Sequence, residues 1–179
     1  MGGPRMLIST CNSDLDAALD GGFPRGLVDV SGPDRSALDM AMDVARAVIS
    51  QGGIAALIDM AHDVDGPFPD MIVAQPDGAA QGLDLVQALC YTSAVDLIVV
   101  NGMYTTAGDG QIDGRAVDLL HDATCPHEGN ILGTCIMFVR RTYAGFGPGE
   151  GSANGIKHRA DVCIDVRDGT IRLGKPDIG

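Results

Sequence analysis

Three segments of this chain are apolar from end to end: Ile54–Ile58 (IAALI), Leu97–Val100 (LIVV) and Cys135–Val139 (CIMFV). A strand wetted on one side alternates apolar and polar residues, so unbroken runs of this kind call for a sheet covered on both faces. Segments of helical periodicity stand around them. In residues 36–51 (SALDMAMDVARAVISQ), Leu38, Met42, Ala45, Val48 and Ile49 recur at helical spacing, and Gly52-Gly53 follows as a stop. Residues 78–91 and 113–124 read as two further helices, and Leu27–Ser31 and Met71–Ala74 as shorter strands. Val162–Val166 and Thr170–Leu173 flank Asp168-Gly169, a hairpin signal. Strands alternating with helices predict an α/β fold. The expectation is a single domain over residues 1–179, a mostly parallel, twisted sheet between helices with a C-terminal β-hairpin.

Composition narrows the function classes. The chain has 179 residues, and aromatics make up only 4% with no Trp, so aliphatic side chains and Met must fill the core. The net charge of −12 argues against broad, non-specific nucleic-acid binding, which needs clustered Lys and Arg. The five cysteines, Cys11, Cys90, Cys125, Cys135 and Cys163, are scattered and form no C-x-x-C pair. They read as free thiols of a reducing compartment, with Cys90, Cys135 and Cys163 buried in apolar runs. No apolar segment approaches the ~20 residues that span a bilayer. MGGPRMLIST is too short and polar for a secretory signal, and Met6 stands where a myristoylation pattern wants Ser or Thr. These readings predict a cytoplasmic protein with no membrane partner.

One stretch bears on chemistry. GPDRSALD, residues 32–39, joins the first apolar strand to the first long helix, where a phosphate-binding loop would read G-x-x-x-x-G-K-[ST]. Gly32 opens the pattern, but Ala37, Leu38 and Asp39 occupy its last three signature positions. The pieces around it resemble, in order and spacing, the core ATPase domain of the RecA/RadA recombinase family, from roughly Leu7 to Gly174. ISTCNSDLDAAL (8–19) resembles the family's lead-in, GGFPRG (21–26) its "GGLPxGR", and GPDRS (32–36) its "GPESS". LIDMAHDVD (57–65) resembles "FIDAEHALD", QPD (75–77) matches "QPD", and AVDLIVVN (94–101) resembles "AVDVIVVD". Phe146, Gly147, Glu150 and Asn154–Lys157 resemble the second DNA-binding loop and its exit.

The departures fall on the chemistry that the resemblance implies. Leu38 stands for the lysine that reaches the terminal phosphates, and Asp39 for the hydroxyl that binds Mg²⁺. Asp39 is expected to supply a carboxylate at the helix start where the phosphates would lie. Ala61 stands for the catalytic glutamate, Asn101 for the metal-side aspartate, and Arg140 for the nucleotide-sensing glutamine. With Gly32, Arg35 and Ser36 these positions make up a degenerate nucleotide site: no catalytic residue, no cofactor, no metal. A rival reading as an unorthodox ATPase would need Arg35 or Arg140 to replace the lysine. The family's N-terminal subunit-docking segment and its C-terminal domain find no counterpart in the sequence, so RecA-style filament assembly is not expected.

Other candidates carry less. Arg140, Arg141, Lys157 and Arg159 flank a Gly-rich stretch, 144–155, that contains Phe146 and Glu150 and in the family touches single-stranded DNA. Phe146 suits stacking on a base, whereas Glu150 opposes a polyanion. His121, Cys125, His127 and Glu128 match no closed zinc pattern. Asp59, His62, Asp63 and Asp65 read as a solvated loop rather than a cation site. Met40 and Met42 read as packing. The resulting expectation is a pseudo-ATPase acting through protein partners, a second copy or a DNA-repair or cell-division protein among them, with phage origin and the SOS response as settings. A DNA-binding recombination accessory is the alternative.

Overall fold

The apolar runs become the inner strands of one seven-stranded sheet in a computed structural model that describes residues 7–102, 114–141 and 159–174. The elements in chain order are α1 (Ser13–Ala18), β1 (Leu27–Gly32), α2 (Ser36–Ser50), β2 (Ala55–Asp59), β3 (Ile72–Ala74), α3 (Ala79–Thr92), β4 (Leu97–Asn101), α4 (Gly114–Thr124), β5 (Cys135–Arg141), β6 (Val162–Arg167) and β7 (Thr170–Gly174). The sheet order is β3-β2-β4-β5-β1-β6-β7. Every pairing is parallel except β6 with β7, the hairpin expected around Asp168-Gly169. The α/β architecture read from the sequence is therefore the one observed, with boundaries shifted by a residue or two.

Alternation along the strands divides the core into two layers. Val28, Val30, Leu57, Val99, Met137, Val139 and Ile164 face α2, with Ala41, Val44, Ala45 and Val48 of that helix. Leu27, Ile58, Ile98, Val100, Ile136 and Phe138 face α3 and α4, with Val86, Cys90, Val117 and Leu120. Met42 is buried in the α2 layer and Met40 packs at its margin, so both serve packing. Burial disfavours the thiolate and pushes Cys90 to about 11 and Cys135 to about 12, while Cys11 and Cys125 are exposed.

The helix α1 is not legible in the sequence as an element of its own. Asn12 caps it, with its side-chain oxygen accepting from the amides of Asp14 and Leu15 at 3.0 Å each. The preceding chain is tied on by Asp16, which accepts from the Ser9 hydroxyl and the Thr10 amide at 2.7 Å each. Among the described residues, no helix is long and apolar enough to cross a membrane.

The strand order places a crevice. From β1 the chain crosses to β2 on one side, and from β5 it passes β1 to β6 on the other. Ligands in open α/β sheets bind outside the carboxyl ends of the strands at such a switch point. Gly32 marks its floor: a Cβ there would stand 2.6 Å from the main-chain oxygen of Val166. Because the obstacle is backbone, Gly32→Ala is expected to destabilise by roughly 2 kcal/mol, which for a domain of this size lowers Tm by about 4–8 °C in a calorimetric scan.

Candidate functional site

Parallel strands aim their carboxyl ends one way, so Gly32, Asp59, Asn101, Arg140 and Arg141 end side by side. The β1–α2 turn carries the GPDRSALD stretch. Its internal anion is Asp34, not Asp39: Asp34 Oδ1 accepts from the Ser36 amide at 2.8 Å. Hydrogen bonds from Ser36, side chain and amide, with the Arg141 charge nearby, hold the Asp34 carboxyl below the usual carboxylate range. Asp39 lies one turn inside α2, where its amide already bonds the Arg35 carbonyl at 2.9 Å, and its side chain is exposed. Leu38, at the lysine position, is only 3% exposed and belongs to the α2-face core beside Ala37.

Across the crevice lies a polar network that sequence reading did not assemble. Asp59 is fully buried at the end of β2, not part of a solvated loop. A buried carboxylate needs donors, and Asp59 has three: the Val64 amide at 3.1 Å, Gln75 Nε2 at 2.9 Å and Asn101 Nδ2 at 2.9 Å. The same Asn101 nitrogen also donates to Asp63 Oδ1 at 2.6 Å. Asp63 Oδ2 in turn accepts from Arg141 Nη2 at 2.9 Å, and its main-chain oxygen from Arg35 Nη1 at 3.2 Å. Backbone bonds from Met60 and Ala61 to the Asn101 carbonyl, at 2.8 and 3.2 Å, hold the turn down. Ala61 rests against Gly102, whose φ of +88° and lack of a Cβ permit the approach. The Ala61 side chain offers no group that could activate a water.

Arg140 and Arg141 leave β5 on opposite faces. Arg141 continues the α2-face series of Met137 and Val139. Arg140 continues the series of Ile136 and Phe138, where it grips Asp29 through Nε and Nη2 at 3.0 and 3.2 Å. Asp29 is only 2% exposed, and charge-assisted paired contacts of this form are the strong ones. Arg140 is thus turned away from the crevice, where the rival reading needed a substitute lysine. Arg159 pairs with Asp118 at 2.5 Å. The arginines expected to contact nucleic acid, Arg140, Arg141 and Arg159, are each ion-paired within the chain; Phe146, Glu150 and Lys157 lie outside the described residues.

The remaining candidates disperse. His121 approaches Asp161 at 3.5 Å, His127 Nε2 meets the Cys90 carbonyl at 2.8 Å, and His62 Nε2 that of Pro76 at 2.9 Å. Among the described residues no group of three or more His, Cys, Asp or Glu is placed to hold a metal ion. Sequence reading missed Asp29, Asp34 and Gln75 as site residues. Asp29 carried a signal, since a carboxylate inside an apolar strand calls for a buried partner.

The network makes Asn101 a donor to two carboxylates, which an aspartate cannot be. Asn101→Asp is expected to cost about 3 kcal/mol at neutral pH, the scale of an uncompensated buried charge. Crowded carboxylates raise one another's pKa in the folded state, so the deficit against the parent chain should shrink as pH falls toward about 4. Urea unfolding of both chains across that range measures it.

The sequence model of the RecA N-terminal domain matches residues 6–124. Protein RecA of Synechocystis sp. (strain ATCC 27184 / PCC 6803 / Kazusa) is 31% identical over 186 residues, covering 89% of this chain and 52% of the relative. A Protein RecA of Prochlorococcus marinus is 30% identical, covering 96% and 52%. That of Gloeobacter violaceus (strain ATCC 29082 / PCC 7421) is 27% identical, covering 92% and 52%. The chain spans about half the length of these relatives. With its strand order, its β1–α2 turn and this match over most of its length, the chain belongs to the RecA family.

Proposed function

We propose that this chain is a RecA-family protein without ATPase activity that acts by binding other proteins. One observation carries the reading: the crevice that would hold a nucleotide is spanned by Asn101, Asp59, Asp63 and Arg141, bonded to one another at 2.6–2.9 Å. Phosphate binding in a loop of this type uses free amides, a lysine and a metal-bound hydroxyl. Here Asp34 accepts the Ser36 amide, Leu38 lies in the core, and Asn101 is committed to two carboxylates. The fold would then serve as a scaffold whose surface does the work, in a cytoplasmic setting such as DNA repair, the SOS response, cell-division control or a phage.

Calorimetric titration with ATP and ADP in the presence of Mg²⁺ tests the proposal. The expected outcome is no binding at millimolar nucleotide, and micromolar binding would sink it. Leu38→Lys is expected not to restore binding. It should instead lower stability by roughly 3 kcal/mol, because it buries an ammonium among aliphatic side chains.

The reading as a DNA-binding accessory, which would rest on the Gly-rich loop 144–155, has its own test. Fluorescence anisotropy with labelled oligothymidine at low salt is expected to show no binding. Micromolar affinity that falls steeply with added salt would favour that reading instead.

A further inference from the structure

Asp63 draws donors from three separate elements. Arg141 Nη2 on β5 and Asn101 Nδ2 on β4 reach its carboxylate at 2.9 and 2.6 Å, and Arg35 Nη1, just before α2, reaches its main-chain oxygen at 3.2 Å. An anionic group held by a guanidinium and an amide is bound as a small oxyanion would be, while Arg35 fixes the main chain beside it. The anion here is part of the chain. The turn that carries it does not depend on the carboxylate for its place. Met60 and Ala61 donate their amides to the Asn101 carbonyl, and Val64 donates its amide to Asp59.

We infer that the turn Ala61–Val64 is an autoinhibitory strap and that Asp63 is a tethered anion, occupying a position that would otherwise take a small inorganic oxyanion such as phosphate. The inference deepens the reading of a closed crevice and rests on it. A tethered group competes at a high effective concentration, commonly millimolar or more, so a free anion of ordinary affinity does not displace it. Asp59, which shares Asn101 Nδ2 with Asp63, remains beside the vacated position as a carboxylate, so an incoming anion binds against its charge. Arg141 would supply the charge and Asn101 one N–H, its other being held by Asp59.

The test is titration of inorganic phosphate into the parent chain, Asp63→Ala, Asp63→Asn and the double variant Asp63→Ala/Arg141→Ala, followed by calorimetry at constant ionic strength. The parent chain is expected to bind no phosphate up to about 10 mM, since the tether outcompetes it. Asp63→Ala should bind at least about tenfold more tightly, the value of one charge-assisted contact near 1.4 kcal/mol; the double variant should lose the gain, and Asp63→Asn, whose amide still fills the position, should stay close to the parent. Parent-like phosphate affinity in Asp63→Ala would overturn the inference. Failure of Asp63→Ala to fold, read by circular dichroism, would overturn it too, because the strap stands on backbone bonds. The absence of nucleotide binding is decided by ATP with the parent chain, so each reading can fail alone.

Discussion

Asp59 is the constraint around which the crevice is arranged. It ends β2, a strand buried along its whole length, with no exposed surface, in a layer that includes Leu57, Val99 and Val139. A charge in such a place is stable only with several donors aimed at it. Its three come from the turn after β2, from the residue just past β3 and from the end of β4. Meeting one carboxylate's needs therefore fixes the exit of β2, the approach to α3 and the tip of β4 together. Asn101 extends the arrangement to Asp63, and Asp63 extends it to β5 and to the residue before α2.

Under the proposed reading, this accounts for why Leu38, Asn101 and Asp63 occur together. A lysine at position 38 would need space that the core has taken. An aspartate at position 101 would set a third carboxylate against Asp59 and Asp63. Asn101, Asp63 and Arg141 form one self-consistent unit, and each residue makes sense only with the others in place. The Asp29–Arg140 pair on the far side of the sheet repeats the logic with a guanidinium as the donor.

The fold is largely legible in the sequence because its signal is repeated. The runs around Leu57, Val99 and Met137 all report a sheet covered on both faces, and α2 reports its buried side through Leu38, Met42, Ala45 and Val48. The positions around the crevice are legible as identities. Their arrangement is not, because it depends on pairings between residues far apart in sequence: Asp59 with Asn101, Asp63 with Arg141, Asp29 with Arg140. Asp63 looks like one carboxylate of a wet loop, and nothing local distinguishes it from Asp65. The motif points to Asp39 for Asp34's role because it sets the register at the lysine, whereas the amide in need of an acceptor is that of Ser36, ahead of it.

The adjacent ion pairs at the end of β5 have a mechanical consequence. Residues 140 and 141 are neighbours in sequence, yet their guanidinium groups are anchored on opposite sides of the sheet, one to β1 and one to the turn after β2. A strand held that way resists twisting about its own axis, because rotation in either direction stretches one of the two anchors. The end of β5 thus behaves as a clamped beam rather than a hinge, and whatever pulls on the chain beyond Arg141 transmits its load to both layers of the core at once.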